Sequence, residues 1–383
     1  MNHPVVIVGS GLAGYAVARE LRRLDADQPL LLLSADHGGF YSKPMLSNAL
    51  ATGKTPESII NGDAEKMASQ LNVSIRTYTR VVAIDKTNRT VILKNNEQLS
   101  YGNLVLAIGA DQVRLPLQGN GVSKVFTVND VDDYKHFRDA LAGKKKVAII
   151  GAGLIGCEFA NDLASAGYHV DVVDIAAQPL GRLIPPAAGA YLKQKLEAVG
   201  VVFHFDTSTQ SVEQIDNQLC LTLANGKTIR ADIVLSSVGL KPRTKMAQEA
   251  GLQINRGIVV DQLLQTNDAH IYAVGDCAEV AGKVLPFVMP ITHAARALAA
   301  TLAGNPTPVR YPAMPVLVKT PACSTVVSPP DADKAGVWQV ESNDDGVKAL
   351  FYDDTGCLLG FALLGKAIMD KNDLVAKLPP VLA

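Results

Sequence analysis

The stretch VVIVGSGLAGYAVARELRRL at residues 5–24 decides the fold of the first part of the chain. A short β-branched run is followed by the spacing G-x-G-x-x-G at Gly9, Gly11 and Gly14, and then by a helical pattern. These glycines allow a tight turn, close approach of a pyrophosphate and close packing of the helix on the strand. The helix N-terminus points its backbone N–H groups at the phosphates. The stretch therefore predicts a strand–loop–helix unit that binds a dinucleotide.

A second stretch, KVAIIGAGLIGCEFA at residues 146–160, repeats this design with Gly151, Gly153 and Gly156. One such glycine pattern is weak evidence, because an ordinary glycine turn can produce it. Two copies, each between a strand and a helix, favour binding loops over ordinary turns. The chain is therefore predicted to bind two dinucleotides.

The residue that ends the second strand of each unit indicates which nucleotide is bound. In the second unit this residue is Asp174, whose carboxylate would accept the ribose hydroxyls and repel a 2′-phosphate, so NADH is favoured over NADPH. Arg182 lies nearby and could accommodate a phosphate. In the first unit the strand ends in Ser34, with Asp36 two residues later, which leaves the contact to the adenosine ribose open.

Composition limits the class of protein. A length of 383 residues suits two or three domains, and 48% hydrophobic with 19% charged residues is an ordinary globular balance. The net charge of −1 argues against binding nucleic acid. The five cysteines form no C-x-x-C pair, so we expect a reducing compartment and no metal site. No apolar segment is long enough to span a membrane, and we expect a cytoplasmic protein.

Three later stretches indicate a flavin. Two buried strands run into a glycine where the chain crosses between domains, NLVLAIGAD at residues 103–111 and DIVLSSVGLKPRT at residues 232–244. In IYAVGDCAE at residues 271–279, Gly275 lets the backbone approach a ligand and Asp276 offers a carboxylate to hydroxyl groups. Alone, Asp276 would be interpreted as a carboxylate in a turn. In a chain that begins with a strand and a G-x-G-x-x-G loop, it is instead a candidate for the flavin site.

In this order, VGSGLAG, LAIGA, GAGLIGCEFA and AVGDCAE resemble the two-dinucleotide flavoprotein family that includes glutathione reductase and bacterial ferredoxin reductases. The resemblance implies non-covalent FAD on the first loop, a nicotinamide dinucleotide on the second, and Asp276 on the flavin ribitol. It implies an α/β fold with two Rossmann-like domains, the first split around the second, and a small α+β C-terminal domain. The expected boundaries are 1–109 and 242–309 for FAD, 110–241 for NAD, and 310–383 for the C-terminal domain.

The family resemblance places the cofactor-binding residues in the two loops and at the ends of neighbouring strands. The expected residues are Gly9, Ser10, Gly11, Leu12, Ala13, Gly14, Ser34, Ala35, Lys43, Pro44, Val81, Val82, Ala107, Gly109, Gly151, Gly153, Leu154, Ile155, Gly156, Glu158, Asp174, Arg182, Gly239, Gly275, Asp276, Val288 and Lys319. The two loops would bring the nicotinamide and the flavin face to face for hydride transfer.

The sequence carries no thiol relay of the kind that disulfide reductases of this family use. FYSKPMLS at residues 40–47 has Ser42 and Lys43 where a related branch has a cysteine beside the flavin. Cys157 and Cys277 flank cofactor loops, and a buried small residue is the simpler reading of each. Electrons are therefore expected to leave the flavin directly.

That pattern is similar to the branch that feeds one-electron iron–sulfur carriers, namely the ferredoxin, putidaredoxin and rubredoxin reductases. In that branch a lysine and a glutamate lie beside the flavin, and the matching positions are Lys43 and Glu158. The resemblance implies that Lys43 stabilises negative charge on the reduced flavin and that Glu158 orients this lysine and the nicotinamide. The alternative for Glu158 is a solvated acid in the first turn of a helix.

Two features follow Asp276. LPFVMPITHAARALAATLAG at residues 285–304 predicts a helix that starts near Pro290 and Thr292, with its N-terminus towards the flavin. Lys319 interrupts the apolar run VLVKTP, which indicates either a site or an edge strand.

Within the branch, PVLVKTPACSTVVSPP at residues 315–330 and the low aromatic content of 5% most resemble the rubredoxin reductases of alkane-oxidising bacteria. The implied partner is rubredoxin, an acidic carrier, and the implied role is electron supply to alkane hydroxylation or to oxidative-stress pathways. The candidate basic docking residues are Lys43, Lys54, Arg310, Lys319 and Lys366. A scatter of unrelated charges is the alternative reading of these residues.

Three alternative functions stay open at this point: a ferredoxin reductase of an oxygenase system, an NADH oxidase or peroxide reductase, and a redox-sensing flavoprotein without turnover. The missing flavin-side cysteine counts against the oxidase, and the absence of a charged or low-complexity tail counts against the sensor. Nothing in the sequence marks a dimer interface, which is compatible with a monomer.

Overall fold

A computed structural model describes residues 3–383 and shows the α/β architecture that the sequence predicts. The first sheet is parallel and has five strands, in the order Ile271–Ala273, Asn103–Leu106, Val5–Val8, Leu30–Leu33 and Ser74–Arg76. Its central strands read as continuous apolar runs because elements cover both of their faces. Helices Leu12–Leu24 and Val288–Leu302 pack on this sheet in one core.

The second sheet is also parallel and has five strands, in the order Val125–Phe126, Ile233–Ser236, Lys146–Ile150, His169–Val173 and Val201–His204. Helices Val131–Ala140, Leu154–Ser165 and Pro186–Ala198 accompany it. The two parallel sheets are joined by an antiparallel ribbon in which Ala110–Gln112 pairs with Leu240–Pro242. The domain boundaries expected at 109/110 and 241/242 lie in this ribbon and stay predictions.

The third sheet is antiparallel and lies near the C-terminus. Its five strands follow the order Val316–Val318, Thr325–Ser328, Leu358–Gly365, Gly346–Tyr352 and Val337–Asn343. Two short helical segments follow it, Lys366–Asp370 and Lys371–Val375. Leu192 and Leu196 of helix Pro186–Ala198 share a core with Val347 and Ala362 of this sheet. The third sheet is therefore held against the second unit.

Shorter elements complete the fold. The remaining strands are Phe40–Tyr41, Ile60–Gly62, Val81–Asp85, Thr90–Leu93, Gln98–Ser100, Thr209–Ile215, Gln218–Leu223, Thr228–Ala231, Ile258–Val260 and Ala278–Val280. The remaining helices are Lys43–Ser47, Pro56–Ile59, Ala64–Leu71, Val122–Lys124, Lys245–Glu249 and Gly275–Cys277. Among residues 3–383, no helix has both the length and the apolar character needed to cross a bilayer.

Candidate functional site

A single large cavity of about 2790 Å³ runs between the two glycine loops and reaches the third sheet. Typical small-molecule pockets are about 300–1,000 Å³, so this volume suits two extended ligands better than one. Both loops line it, as does the Asp276 carboxylate.

The first loop leaves no space for a side chain at two of its three glycines. Gly9 has φ +117°, and a Cβ there would lie 2.2 Å from the carbonyl oxygen of Ala107. A Cβ on Gly14 would lie 1.9 Å from the carbonyl oxygen of Gly9, whereas nothing lies within 4 Å of the corresponding position on Gly11. The loop is therefore closed on its inner side and open towards the cavity, which fits a pyrophosphate at the N-terminus of helix Leu12–Leu24.

The second loop has the same geometry. Gly151 has φ +107°, and a Cβ there would lie 2.8 Å from the carbonyl oxygen of Ser237. A Cβ on Gly156 would lie 1.9 Å from the carbonyl oxygen of Gly151, and Gly153 again faces open space. The residues present therefore fit a second dinucleotide on this loop.

Asp174 is held at the edge of the second loop by backbone donors. The N–H of Ala152 donates to its Oδ2 at 2.5 Å, and the N–H of Ala176 donates to its Oδ1 at 2.7 Å. The carboxylate is thus oriented beside the loop, where a ribose would lie. The exposed Arg182 lines the same cavity.

In the first unit, the structure distinguishes Asp36 from Ser34 by their positions relative to the cavity. Ser34 is fully buried and does not line the cavity, unlike the position expected for a direct contact with the cofactor. Its hydroxyl donates to Asp36 Oδ1 at 2.5 Å, and the N–H of Gly38 donates to the same oxygen at 2.8 Å. Asp36 lines the cavity. Its position two residues beyond the strand end was the available signal.

Most of the other expected residues line the cavity, namely Gly9, Ser10, Gly11, Leu12, Ala13, Ala35, Lys43, Pro44, Val81, Ala107, Gly109, Gly151, Gly153, Leu154, Ile155, Glu158, Arg182, Gly239, Val288 and Lys319. Gly14 and Gly156 do not line the cavity. They allow each helix to pack closely against the first glycine of its own loop. Val82 is absent from the lining, because neighbouring residues of a strand point to opposite faces and Val81 points inward. Gly275 does not line the cavity; it begins the short helix Gly275–Cys277 and lets it approach helix Leu12–Leu24, since a Cβ on Gly275 would lie 2.8 Å from that of Ala13.

Lys43 and Asp276 influence each other across the expected flavin site. Burial lowers the pKa of Lys43, and the nearby Asp276 carboxylate partly opposes this. Burial raises the pKa of Asp276, and Lys43 partly opposes that shift. The Lys43 ammonium donates a hydrogen bond to Oδ1 of Asn129 at 2.6 Å. The side chain of Lys43 is thus held by a residue outside its own helix, Lys43–Ser47.

Glu158 is buried and forms an ion pair with Lys319. Its Oε2 also accepts from the hydroxyl of Ser47 at 2.5 Å, and its Oε1 accepts from the backbone N–H of Lys319 at 2.9 Å. Burial excludes the alternative of a solvated first-turn acid for Glu158. The lysine that pairs with it is Lys319, whereas Lys43 was the lysine that it was expected to orient.

Two more polar side chains of helix Leu154–Ser165, Asn161 and Asp162, are buried. We call Glu158, Asn161 and Asp162 the buried polar row. Asp162 accepts from the N–H groups of Leu50 and Ala51 at 3.0 and 2.9 Å, and Asn161 Oδ1 accepts from the N–H of Ala322 at 3.0 Å. Helix Leu154–Ser165 is therefore hydrogen-bonded both to the first unit and to the C-terminal region. Sequence reasoning missed these two residues, although polar side chains in the otherwise apolar LIGCEFANDLAS were a signal.

The cysteines near the cofactor loops are buried and protonated. Cys157 and Cys277 are fully buried, and burial raises the pKa of the Cys277 thiol to about 11. Burial raises the pKa of Cys157 as well. A thiol must ionise to act as a nucleophile, so neither residue suits a relay.

The exposed side chains of the cavity lining include both apolar and charged residues. Helix Val288–Leu302 begins there with Val288 and Met289, which are 44% and 45% exposed, and Leu317 is 61% exposed. We call these three residues the apolar rim. Of the five basic docking candidates, Lys43 and Lys319 line the cavity with internal partners, while Lys54, Arg310 and Lys366 are absent from its lining. Which of these five residues contact a docked partner stays a prediction.

Comparison with known proteins agrees with this site. Residues 3–300 match the family described as pyridine nucleotide-disulphide oxidoreductase. The chain belongs to this family. Residues 308–378 match the rubredoxin binding C-terminal domain. The family resemblance and the fold expected from the sequence are thereby confirmed.

Relatives in the pyridine nucleotide-disulphide oxidoreductase family match along the whole chain. A rubredoxin-NAD(+) reductase of Alcanivorax borkumensis is 48% identical, over 99% of this chain and 100% of the relative. One from Acinetobacter baylyi is 46% identical, over 99% and 98%. Among solved structures, a ferredoxin reductase from Rhodopseudomonas palustris is 28% identical with a TM-score of 0.89, over 99% and 96%. The putidaredoxin reductase–putidaredoxin complex is 27% identical with a TM-score of 0.89, over 99% and 94%.

Proposed function

We propose that this protein is an FAD-dependent enzyme that passes electrons from NADH to rubredoxin. The observation that carries the proposal is the combination of two glycine loops on one cavity with a C-terminal region, residues 308–378, that matches a rubredoxin-binding domain. The relatives named rubredoxin-NAD(+) reductase support it, because they match from end to end.

When bound, FAD supplies the step between a two-electron hydride donor and a one-electron carrier, so one NADH serves two rubredoxins. The chain itself binds and orients. The two loops hold the two pyrophosphates, Asp36 and Asp174 meet the riboses, and Asp276 meets the flavin ribitol. NADPH is less favoured because the Asp174 carboxylate repels a 2′-phosphate.

Lys43 and Glu158 have separate roles in this proposal. Lys43 places a positive charge where negative charge develops when the flavin is reduced. Glu158, paired with Lys319, forms the wall on the nicotinamide side and keeps that wall rigid. The pair also connects the NAD-binding unit to the first residues of the C-terminal sheet.

The apolar rim is the proposed docking edge for rubredoxin. Val288, Met289 and Leu317 expose apolar surface at the mouth of the cavity, next to the expected flavin. Exposed apolar groups at a functional opening favour a protein partner. Because these three residues carry no charge, docking on them would depend on apolar contact more than on ion pairs.

The test is anaerobic NADH-driven reduction of purified rubredoxin beside a [2Fe–2S] ferredoxin, each followed at its own visible band. We expect rubredoxin to be reduced efficiently and ferredoxin slowly. Preferred reduction of ferredoxin would replace rubredoxin by an oxygenase-type carrier, for which the solved ferredoxin reductase offers a precedent. Reduction of neither, with rapid NADH consumption in air, would favour an oxidase.

The cellular role is proposed on the same basis. We propose that the enzyme works in the cytoplasm, where its free cysteines would stay reduced. There it would supply rubredoxin for alkane hydroxylation or for oxidative-stress electron transfer. Deletion of the gene should abolish growth on alkanes if the first pathway is the one served.

A further inference from the structure

Asn129 connects the flavin-side lysine to the ribbon between the two dinucleotide units. Its Oδ1 accepts from the Lys43 ammonium at 2.6 Å, and its Nδ2 donates to the carbonyl oxygen of Ala110 at 2.9 Å. Its backbone N–H donates to Oδ2 of Asp133 at 3.0 Å. Both ends of the Asn129 amide are therefore engaged, and its backbone is fixed at the start of helix Val131–Ala140.

These contacts leave one orientation of the amide. The carbonyl of Ala110 accepts only, so the NH₂ group of Asn129 must face it, and the amide oxygen must face Lys43. The ammonium is donor-only, which matches that oxygen. An amide, unlike a carboxylate, holds the lysine without cancelling its charge.

Opposing influences act on the charge of Lys43. Asp276, Asp130 and Asp133 favour the charged form, while burial and Arg243 oppose it, and the resulting pKa of Lys43 is lowered. A neutral anchor leaves this balance unchanged. A fourth carboxylate in direct contact would form an ion pair and remove most of the positive field.

We propose that Asn129 is the positioning residue of Lys43, whose neutral amide fixes the ammonium beside the flavin and thereby sets the reduction potential of FAD. This inference rests on the proposed binding of FAD to the first loop and on nothing about the electron acceptor. It adds to the reaction a residue that lies just before helix Val131–Ala140 and outside both glycine loops.

The test measures the FAD midpoint potential and the rate of flavin reduction by NADH, anaerobically and without rubredoxin. In Asn129→Ala the ammonium loses its anchor, and we expect flavin reduction to slow by about tenfold, within the range that misplaced groups cost. In Asn129→Asp the new carboxylate neutralises Lys43, so the potential should fall. The pH at which the potential changes slope should rise, because the ion pair raises the pKa of Lys43.

The matched control is Gln112→Ala. Gln112 Nε2 donates to the carbonyl oxygen of Val128 at 2.9 Å and thus braces the same two segments without contacting Lys43. A purely structural role for Asn129 predicts equal effects of Asn129→Ala and Gln112→Ala. The positioning role predicts that the potential of Gln112→Ala stays at the wild-type value.

A double-mutant cycle with Lys43→Met completes the design. Without the ammonium, Asn129→Ala should cause no further change in potential. Equal shifts in both backgrounds would overturn the proposal, as would a wild-type potential in Asn129→Asp. Asn129→Asp keeps the side-chain volume, so it decides the matter even where Asn129→Ala loses FAD. Failure to reduce rubredoxin would count against the proposed function and leave these results standing.

Discussion

At the residue scale, the buried carboxylate of Glu158 depends on Lys319 to compensate its charge in the folded protein. The side chains of the pair are 4% and 21% exposed. Removing one member of a buried pair leaves the other charge uncompensated and costs about 3–5 kcal/mol. We expect Glu158→Gln to lower the free energy of unfolding by about 3 kcal/mol in urea titrations of the FAD-loaded protein.

The control for this prediction removes both charges. Glu158→Gln with Lys319→Met should recover most of the lost stability, because a neutral pair carries no uncompensated charge. A Glu158→Gln variant as stable as the wild type would show that the pair contributes nothing to folding.

Asp174 gives the second prediction at this scale. Its carboxylate is fixed by two backbone N–H groups beside the second loop, and Arg182 lines the same cavity. Asp174→Ala removes the repulsion of a 2′-phosphate, so the ratio of kcat/KM for NADH to that for NADPH should fall by about tenfold, equivalent to ~1.4 kcal/mol. Steady-state kinetics with both nucleotides measure it.

Arg182→Ala serves as the counterpart. It should weaken any use of NADPH by the Asp174→Ala enzyme while leaving NADH kinetics close to the wild type. An unchanged nucleotide ratio in Asp174→Ala would place the ribose elsewhere.

At the element scale, helix Leu154–Ser165 lines the cavity and also forms hydrogen bonds with two other parts of the chain. Its N-terminus faces the cavity at the second loop, and its buried polar row binds residues 47–51 and 319–322. A helix with several buried polar groups is stable only when each group has a partner. Here the partners come from other units, which ties the position of the second loop to both of them.

The pH dependence of stability follows from Asp162 in this helix. Burial raises its pKa above the ordinary value, so between the unfolded and folded pKa values the native state binds more protons than the unfolded state. The contribution of Asp162 therefore becomes more favourable as pH falls through the raised pKa. Urea unfolding from pH 7 downward should show this gain in the wild type and lose it in Asp162→Asn. Parallel curves for the two proteins would contradict the prediction.

At the scale of the whole molecule, the units meet around one cavity, and the three exposed residues of the apolar rim belong to its lining. We expect Leu317→Asp to raise the KM for rubredoxin by about tenfold, since burying a leucine at an interface is worth about 1.5–3 kcal/mol. Reduction of ferricyanide, which needs no docked protein, should change much less.

Turnover with rubredoxin should also depend weakly on ionic strength, contrary to docking through a basic patch.

Met369→Asp is the matched control, because Met369 is 83% exposed in the same C-terminal region and does not line the cavity. It should leave the KM for rubredoxin unchanged. Equal effects of the two substitutions would move the docking surface away from the rim.

The sequence by itself determined the two loops and the α/β fold, and it predicts a preference for NADH. Each of these depends on residues close together in the chain, such as Gly9 with Gly14 or Gly151 with Asp174, whose spacing is dictated by backbone geometry. The tertiary structure alone decided that Glu158 pairs with Lys319, 161 residues away, and that Lys43 is held by Asn129, 86 residues away. It also decided that Val288, Met289 and Leu317 are exposed in the lining of the same cavity. Such contacts depend on how separate units pack, because local spacing carries no information about which distant side chain will satisfy a buried charge.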